Sequence, residues 1–380
     1  MKKRYFIRST GVLVLVALMV MMTACLGGTG GTSGGDAPAA TPPASDAPAG
    51  GDAPAADAPL EPVTLQLTMH DPETSRVGQG MIAWAEEVNK ATGGALTIKV
   101  NGSGSLAGAP DALDYVKKGS ADIGWVYTMF NPGQFTLTEV VSIPMAGIDH
   151  PVQTANILWD LYDETPELQA ELNNGFKMLE MYGNPANFIS TTDKPIKSLD
   201  DIKGVSLRCP AGGMSEVMAA WGANPMNVPA GEAADALQKG TIQGTSWEWQ
   251  GIEAFKLYEH LNYYMENMTI YEGVFVLAMN QAKFDSLPPE MQKAIEDSTG
   301  REGSVKFGQL FYDAAQESKK AVMGNPGEIV EVPEAAIADF KKIADEWAAG
   351  WADNVSKEKG IDGKAYLDRA LELAAKHEVK

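Results

Sequence analysis

Hydrophobic positions along the chain switch repeatedly between a period of two and a period near 3.6. Residues 63–69, Val-Thr-Leu-Gln-Leu-Thr-Met, alternate as a strand with one buried face does. Residues 76–92 take helical spacing and stop at Gly93-Gly94. A strand over 95–100, a helix over 109–119 and a strand over 121–126 follow. Further on, 155–172 reads as a helix and 176–182 as a strand. The pair recurs as a strand over 205–207 and a helix over 214–221, then a short strand over 224–228 and a helix over 232–239. Residues 263–279 are largely strand-like. A long helical pattern runs from 287 to about 323, with a kink expected at Gly300 and Gly303, and helices over 335–350 and 363–377 close the chain. Strands alternating with helices imply βαβ units and a mostly parallel sheet. The body of about 320 residues exceeds what one compact core usually holds, so two lobes are expected.

The first 60 residues break this pattern. Lys2, Lys3, Arg4 and Arg8 precede an apolar run over 11–22, short for a membrane span of about 20 residues. This is the anatomy of a secretory leader over 1–24. The run ends Met22-Thr23-Ala24-Cys25, which resembles a bacterial lipobox with Cys25 as the lipidated first residue. Residues 25–60 are mostly Gly, Ala, Pro, Asp, Ser and Thr, a composition that cannot bury a core and reads as a disordered spacer. The expected location is therefore extracytoplasmic, with a lipid anchor on the membrane. With Cys25 lipidated, Cys209 has no disulfide partner, and it reads as a small buried hydrophobe. The formal charge of -20 argues against nucleic acid as a partner. It leaves room for an anionic ligand, because a local arginine acts over a shorter range than a distant acidic surface.

Candidate chemistry concentrates between residues 205 and 249. An apolar strand ends at Arg208, Gly212-Gly213 opens a helix, and Thr245-Ser246-Trp247-Glu248-Trp249 follows. A planar guanidinium offers paired donors to a carboxylate, and tryptophans supply apolar walls. On an extended segment Trp247 and Trp249 would share one side and Glu248 the other. The competing reading has one tryptophan in the core.

Several blocks carry a family resemblance. Trp84-Ala85-Glu86-Glu87-Val88-Asn89-Lys90 and Gly119-Ser120-Ala121-Asp122-Ile123-Gly124 are two of them. Pro132-Gly133-Gln134-Phe135 and Ser198-Leu199-Asp200-Asp201-Ile202-Lys203-Gly204-Val205-Ser206-Leu207-Arg208 are two more. In this order they resemble the solute-binding proteins of tripartite ATP-independent periplasmic (TRAP) transporters. The resemblance implies an α/β, two-lobed periplasmic-binding-protein-like fold with a ligand cleft between lobes and a long helix spanning both. Lobe I would take 61–184 plus 271–330, lobe II 185–270, and C-terminal helices over 331–380 would pack on the lobes. Chain crossings would fall near 178–187 and 265–276.

It also implies a site. Arg208 falls on the family's signature arginine and would clamp an organic acid. Trp247, Trp249, Asn187, Phe188, His70, Trp125, Tyr127 and Asn131 are the other candidate ligand contacts. Gln243 departs from the family's usual Asp and Gln134 from the Arg of one subgroup. The loss of a second cation at Gln134 leaves one anion anchor and favours a monocarboxylate, or an amphiphilic acid with an aromatic or branched tail, over a dicarboxylate. No cofactor or metal is expected: Glu248 beside Trp249 is the one candidate, and no His cluster or calcium-loop spacing supports it. The implied partners are the small organic acid and the small and large TRAP permease subunits. Two other classes compete with transport. A secreted sensory protein feeding a receptor would look the same in sequence. A cell-surface hydrolase lacks its motifs, having no G-x-S-x-G elbow and no HExxH.

Overall fold

The computed structural model describes residues 60–324 and 327–379. The leader, Cys25 and the spacer expected over the first 60 residues lie outside the described residues, apart from Leu60. Eleven strands are seen among the described residues: β1 (Val63–Thr68), β2 (Leu96–Asn101), β3 (Ile123–Tyr127), β4 (Phe176–Gly183), β5 (Phe188–Thr191), β6 (Ser206–Arg208), β7 (Asn224–Met226), β8 (Gly244–Trp247), β9 (Tyr263–Tyr264), β10 (Val274–Asn280) and β11 (Glu328–Ile329). They form two sheets, ordered β2-β1-β3-β10-β4 and β11-β9-β5-β8-β6-β7.

Within the first sheet, β1 pairs in parallel with β2 and β3, while β10 runs antiparallel between β3 and β4. The period of two sorts its side chains. Trp125, Tyr127, Phe275, Leu277 and Met279 join one core; Val126, Val274, Val276 and Ala278 face the other. Burial on both faces is why β10 reads as an unbroken apolar run.

Several elements differ from the sequence reading, each for a local reason. The helix expected over 155–172 is two, Pro151–Glu164 and Pro166–Leu172, because Pro166 supplies no N–H and Thr165 stays extended. The pattern over 287–323 is interrupted rather than kinked. Pro289–Ser298 ends at Thr299, and Gly300, at φ 71, starts the helix Gly300–Val322. The helix expected to end at Gly350 runs from Glu334 to Lys359, since Trp351, Ala352 and Val355 continue its buried stripe. The stretch 263–279 supplies β9 to one sheet and β10 to the other. β11 pairs with β9, so Glu328 and Ile329 sit on the second sheet, not in the lobe expected to hold 271–330.

The chain passes between sheets where β4 gives way to β5 and again between β9 and β10. These crossings lie side by side: Asn187 N–H donates to Tyr271 O at 2.8 Å, and Ile270 N–H to Asn187 O at 2.8 Å. The helix Gly300–Val322 touches both lobes. Ser304 Oγ accepts from Met181 N–H of β4 at 2.9 Å, and Lys319 pairs with Glu266 at 2.6 Å. The helix Glu334–Lys359 also reaches both. Its Phe340 carbonyl accepts from Trp221 Nε1 behind the second sheet, while Trp351 packs with Val140 and Val141 beside the first.

Candidate functional site

Both sheets aim the same ends at one place. β1 and β3 are parallel, and their carboxyl ends lead to His70 and Tyr127. β6 and β8 are parallel, and their carboxyl ends carry Arg208 and Trp247. Ligands of α/β sheets collect at such ends. Between them lies a cavity lined from both sheets.

The first-sheet wall is a stack of rings. Trp125 lies flat on Phe275 at 4.1 Å between centroids, and His70 lies on Trp125 at 4.8 Å. Tyr127 packs on Phe275 at 4.8 Å. Trp125 Nε1 donates to Tyr182 Oη at 2.7 Å, which satisfies the indole away from the cavity. Gly273 allows this packing: a Cβ there would sit 2.1 Å from the Tyr127 hydroxyl. Burial drives the His70 pKa down to about 3, and the nearby Arg208 charge adds to the shift, so the imidazole is neutral. Its Nδ1 is buried without a hydrogen-bond partner among the described residues.

The second-sheet wall carries charge. Arg208 is 4% exposed, with its guanidinium 3.8 Å over the Trp247 ring. Nε donates to Val228 O at 3.2 Å. Among the described residues no carboxylate lies within ion-pair distance of it. Burial lowers its pKa; Tyr271 and Tyr127 oppose this electrostatically. The Trp247 ring in turn rests on Gly251, where a Cβ would come within 2.2 Å of Nε1.

Past Trp247 the same wall turns acidic, out of ion-pair reach of Arg208. β8 ends at Trp247, and Glu248 caps the helix Trp249–Ala254 by accepting from Gly251 N–H at 2.8 Å and from Gln250 N–H. Gln250 Nε2 reaches across to Asp71 Oδ2 at 3.0 Å, and Ser75 Oγ donates to the same oxygen. Burial pushes the Asp71 pKa up to about 6, against the pull of those two bonds. It pushes Glu248 up to about 8, against its two backbone donors.

Of the nine candidate contacts, His70, Trp125, Tyr127, Asn187, Arg208 and Trp247 line the cavity. Trp249 and Phe188 do not. They pack on each other at 5.0 Å in the core of the second lobe, where Trp249 Nε1 donates to Glu266. The alternation expected across 247–249 fails because the strand stops at Trp247 and a helix begins. Trp249 is the core tryptophan, and Glu248 faces the cavity. Asn131 is buried in the turn after β3, outside the lining. Sequence reasoning missed Asp71, Asn184, Tyr271, Phe275 and Phe311. Glu248 and Gln250 also line the cavity, and because Glu is not a usual helix cap the sequence did not signal the turn there. No cluster of three or more His, Cys, Asp or Glu able to hold a metal occurs among the described residues.

A cavity between two lobes joined by paired crossings defines a binding protein of the periplasmic type. Residues 67–353 match the model of the bacterial extracellular solute-binding proteins, family 7, and the chain belongs to that family as a TRAP transporter solute-binding protein. It is a binder, not an enzyme. It is similar to the TRAP solute-binding protein of Rhodoferax ferrireducens, solved with copurified benzoate. That likeness has 27% identity, a TM-score of 0.78, and covers 83% of this chain and 98% of that one. It is also similar to one from Bordetella bronchiseptica with bound (R)- and (S)-mandelate, at 26% identity and a TM-score of 0.76, covering 83% and 100%. The monocarboxylate 2-oxoacid-binding periplasmic protein of Nostoc is 25% identical over 324 residues, 77% of this chain and 85% of that one. The two-lobed fold and its lobe-spanning helix agree with the expectation from sequence.

Proposed function

We propose that this protein captures a monocarboxylate with an aromatic or branched tail outside the cytoplasm and passes it to the small and large permease subunits of a TRAP transporter. The observation that carries the reading is Arg208, a buried cation with no ionic partner among the described residues, facing a ring-lined cavity. Burying a charge is costly unless it is paired, so a ligand carboxylate would relieve the site as it binds. Arg208 would clamp the acid; Trp125, Phe275, Tyr127 and Trp247 would hold the tail; His70 and Asn187 would contact it at the edge. The benzoate and mandelate of the two solved relatives are acids of this kind. The location would be the periplasm or the outer face of the cytoplasmic membrane; the Nostoc relative is named a periplasmic protein. The leader over 1–24, lipidation at Cys25 and the spacer over 25–60 would tether the lobes there.

A thermal-shift screen of aromatic, branched and short aliphatic acids tests the ligand class, since a ligand stabilises by RT ln(1 + [L]/Kd). Benzoate or mandelate should raise the melting temperature most. Calorimetry on Arg208→Ala should show a loss of about 2–5 kcal/mol, as for truncating one side of a buried charged pair. Unchanged affinity within twofold would remove Arg208 from the site.

A further inference from the structure

The cavity holds one cation and two carboxyl groups, and the carboxyl groups are joined. Gln250 is the joint: its backbone N–H donates to Glu248 and its side-chain Nε2 to Asp71 at 3.0 Å. Asp71 follows β1 of the first sheet, whereas Gln250 and Glu248 follow β8 of the second. The unit therefore forms only when the two lobes meet, on the same cavity that Arg208 lines. All three residues are almost fully buried, at 3%, 3% and 2% exposure.

We propose that Asp71, Gln250 and Glu248 form a charge filter, so that the closed site accepts an acid with one carboxylate and rejects an acid that carries a second. The proposal rests on the carboxylate reading above and names the feature that narrows it. One carboxylate pairs with Arg208. A second, at the far end of the ligand, finds no free cation among the described residues lining the cavity. It meets instead the acidic pair, each member already taking donors from Gln250. His70 is the remaining basic side chain there, and it is neutral, with Nε2 3.8 Å from Asp71 Oδ1. At pH 8 Asp71, with its pKa at about 6, is ionised, and Glu248, at about 8, is about half so; like charges brought together in a buried site oppose binding strongly. The same repulsion would oppose closure, because Gln250 cannot reach Asp71 with a ligand carboxylate wedged beside it.

The test uses two ligands of equal size that differ in charge: benzene-1,4-dicarboxylate and its monoamide, 4-carbamoylbenzoate, with benzoate as reference. Calorimetry at pH 8 should show wild-type protein preferring the monoamide by about 30-fold or more. In Asp71→Asn/Glu248→Gln the preference should fall to within about threefold, while monoamide binding persists and shows that the cavity is formed. Glutamine keeps an oxygen acceptor for the helix cap; if the double variant fails to fold, Asp71→Asn alone should reduce the preference. A wild type that binds or excludes the two equally overturns the proposal, as does an undiminished preference in the variants. A wild type that binds neither benzoate nor the monoamide overturns the monocarboxylate reading itself, and this proposal with it.

Discussion

On the first-sheet side the cavity is faced by rings, Trp125, Phe275, Tyr127 and His70, stacked on one another and continuous with the core beneath. On the second-sheet side it is faced by Arg208, Glu248 and Gln250, with Trp247 as their apolar backing. The ring wall is part of what holds its lobe together, because its residues would be buried with or without a ligand. The charged wall costs stability, because a buried guanidinium without a counter-ion is unfavourable. Shape and charge thus come from different lobes, and a ligand that needs both contacts both.

The largest effect should come from the ring wall. Trp125→Ala removes a fully buried indole and should cost about 3–5 kcal/mol of stability, read as a lower denaturation midpoint, with ligand affinity falling alongside. Arg208→Ala should behave in the opposite way. Affinity drops, yet the unliganded melting temperature stays level or rises, because the strain of an unpaired buried cation is gone. Destabilisation of the unliganded Arg208→Ala protein would break the contrast between the walls.

A pH series sharpens it next. Glu180 lies inside the first lobe, away from the cavity lining, with Oε2 buried and without a hydrogen-bond partner among the described residues, and burial raises its pKa from 4.5 to about 8. A folded-state pKa above the unfolded one means the folded protein holds a proton that the unfolded chain releases. Stability is then highest below about pH 4.5 and falls as pH rises towards 8, by up to about 1.4 kcal/mol per unit. Glu180→Gln should flatten that slope in thermal melts. Persistence of the full slope would shift its origin to Asp71, Glu139, Glu248 or Glu272, which burial also pushes upward. The smallest effect belongs to the rim. Arg76 of the first lobe pairs with Glu253 of the second at 3.0 Å, with side chains 43% and 29% exposed. Arg76→Ala should cost about 0.2–1 kcal/mol of ligand affinity, with the difference shrinking in salt.

Much of the scaffold was legible because period and punctuation are local. Leu65, Leu67 and Met69 alternate, Gly93-Gly94 stops a helix, and β1, β3 and β4 fall within a residue or two of expectation. The place of Arg208 on the cavity wall was legible through the motif around it. What escaped depends on contacts between distant segments. Phe275 and Tyr271 looked like parts of one strand, and only the crossing between sheets sets one on a ring stack and the other beside Asn187. Asp71 gains its character from Gln250, 179 residues away. Trp249 was misread because two tryptophans one residue apart suggest a shared strand face. The cap at Glu248 turns the backbone between them.

Cys209 sits one residue beyond Arg208, 1% exposed, with burial pushing its thiol up to about 12. It is the one cysteine among the described residues and is close to inert towards alkylating reagents at neutral pH. The folded body is therefore a ready host for a reporter. A single cysteine introduced at Arg76 or Glu253, on either rim of the cleft, would accept an environment-sensitive dye without replacement of Cys209, provided Cys25 is lipidated or substituted. Its fluorescence would follow opening and closing in real time.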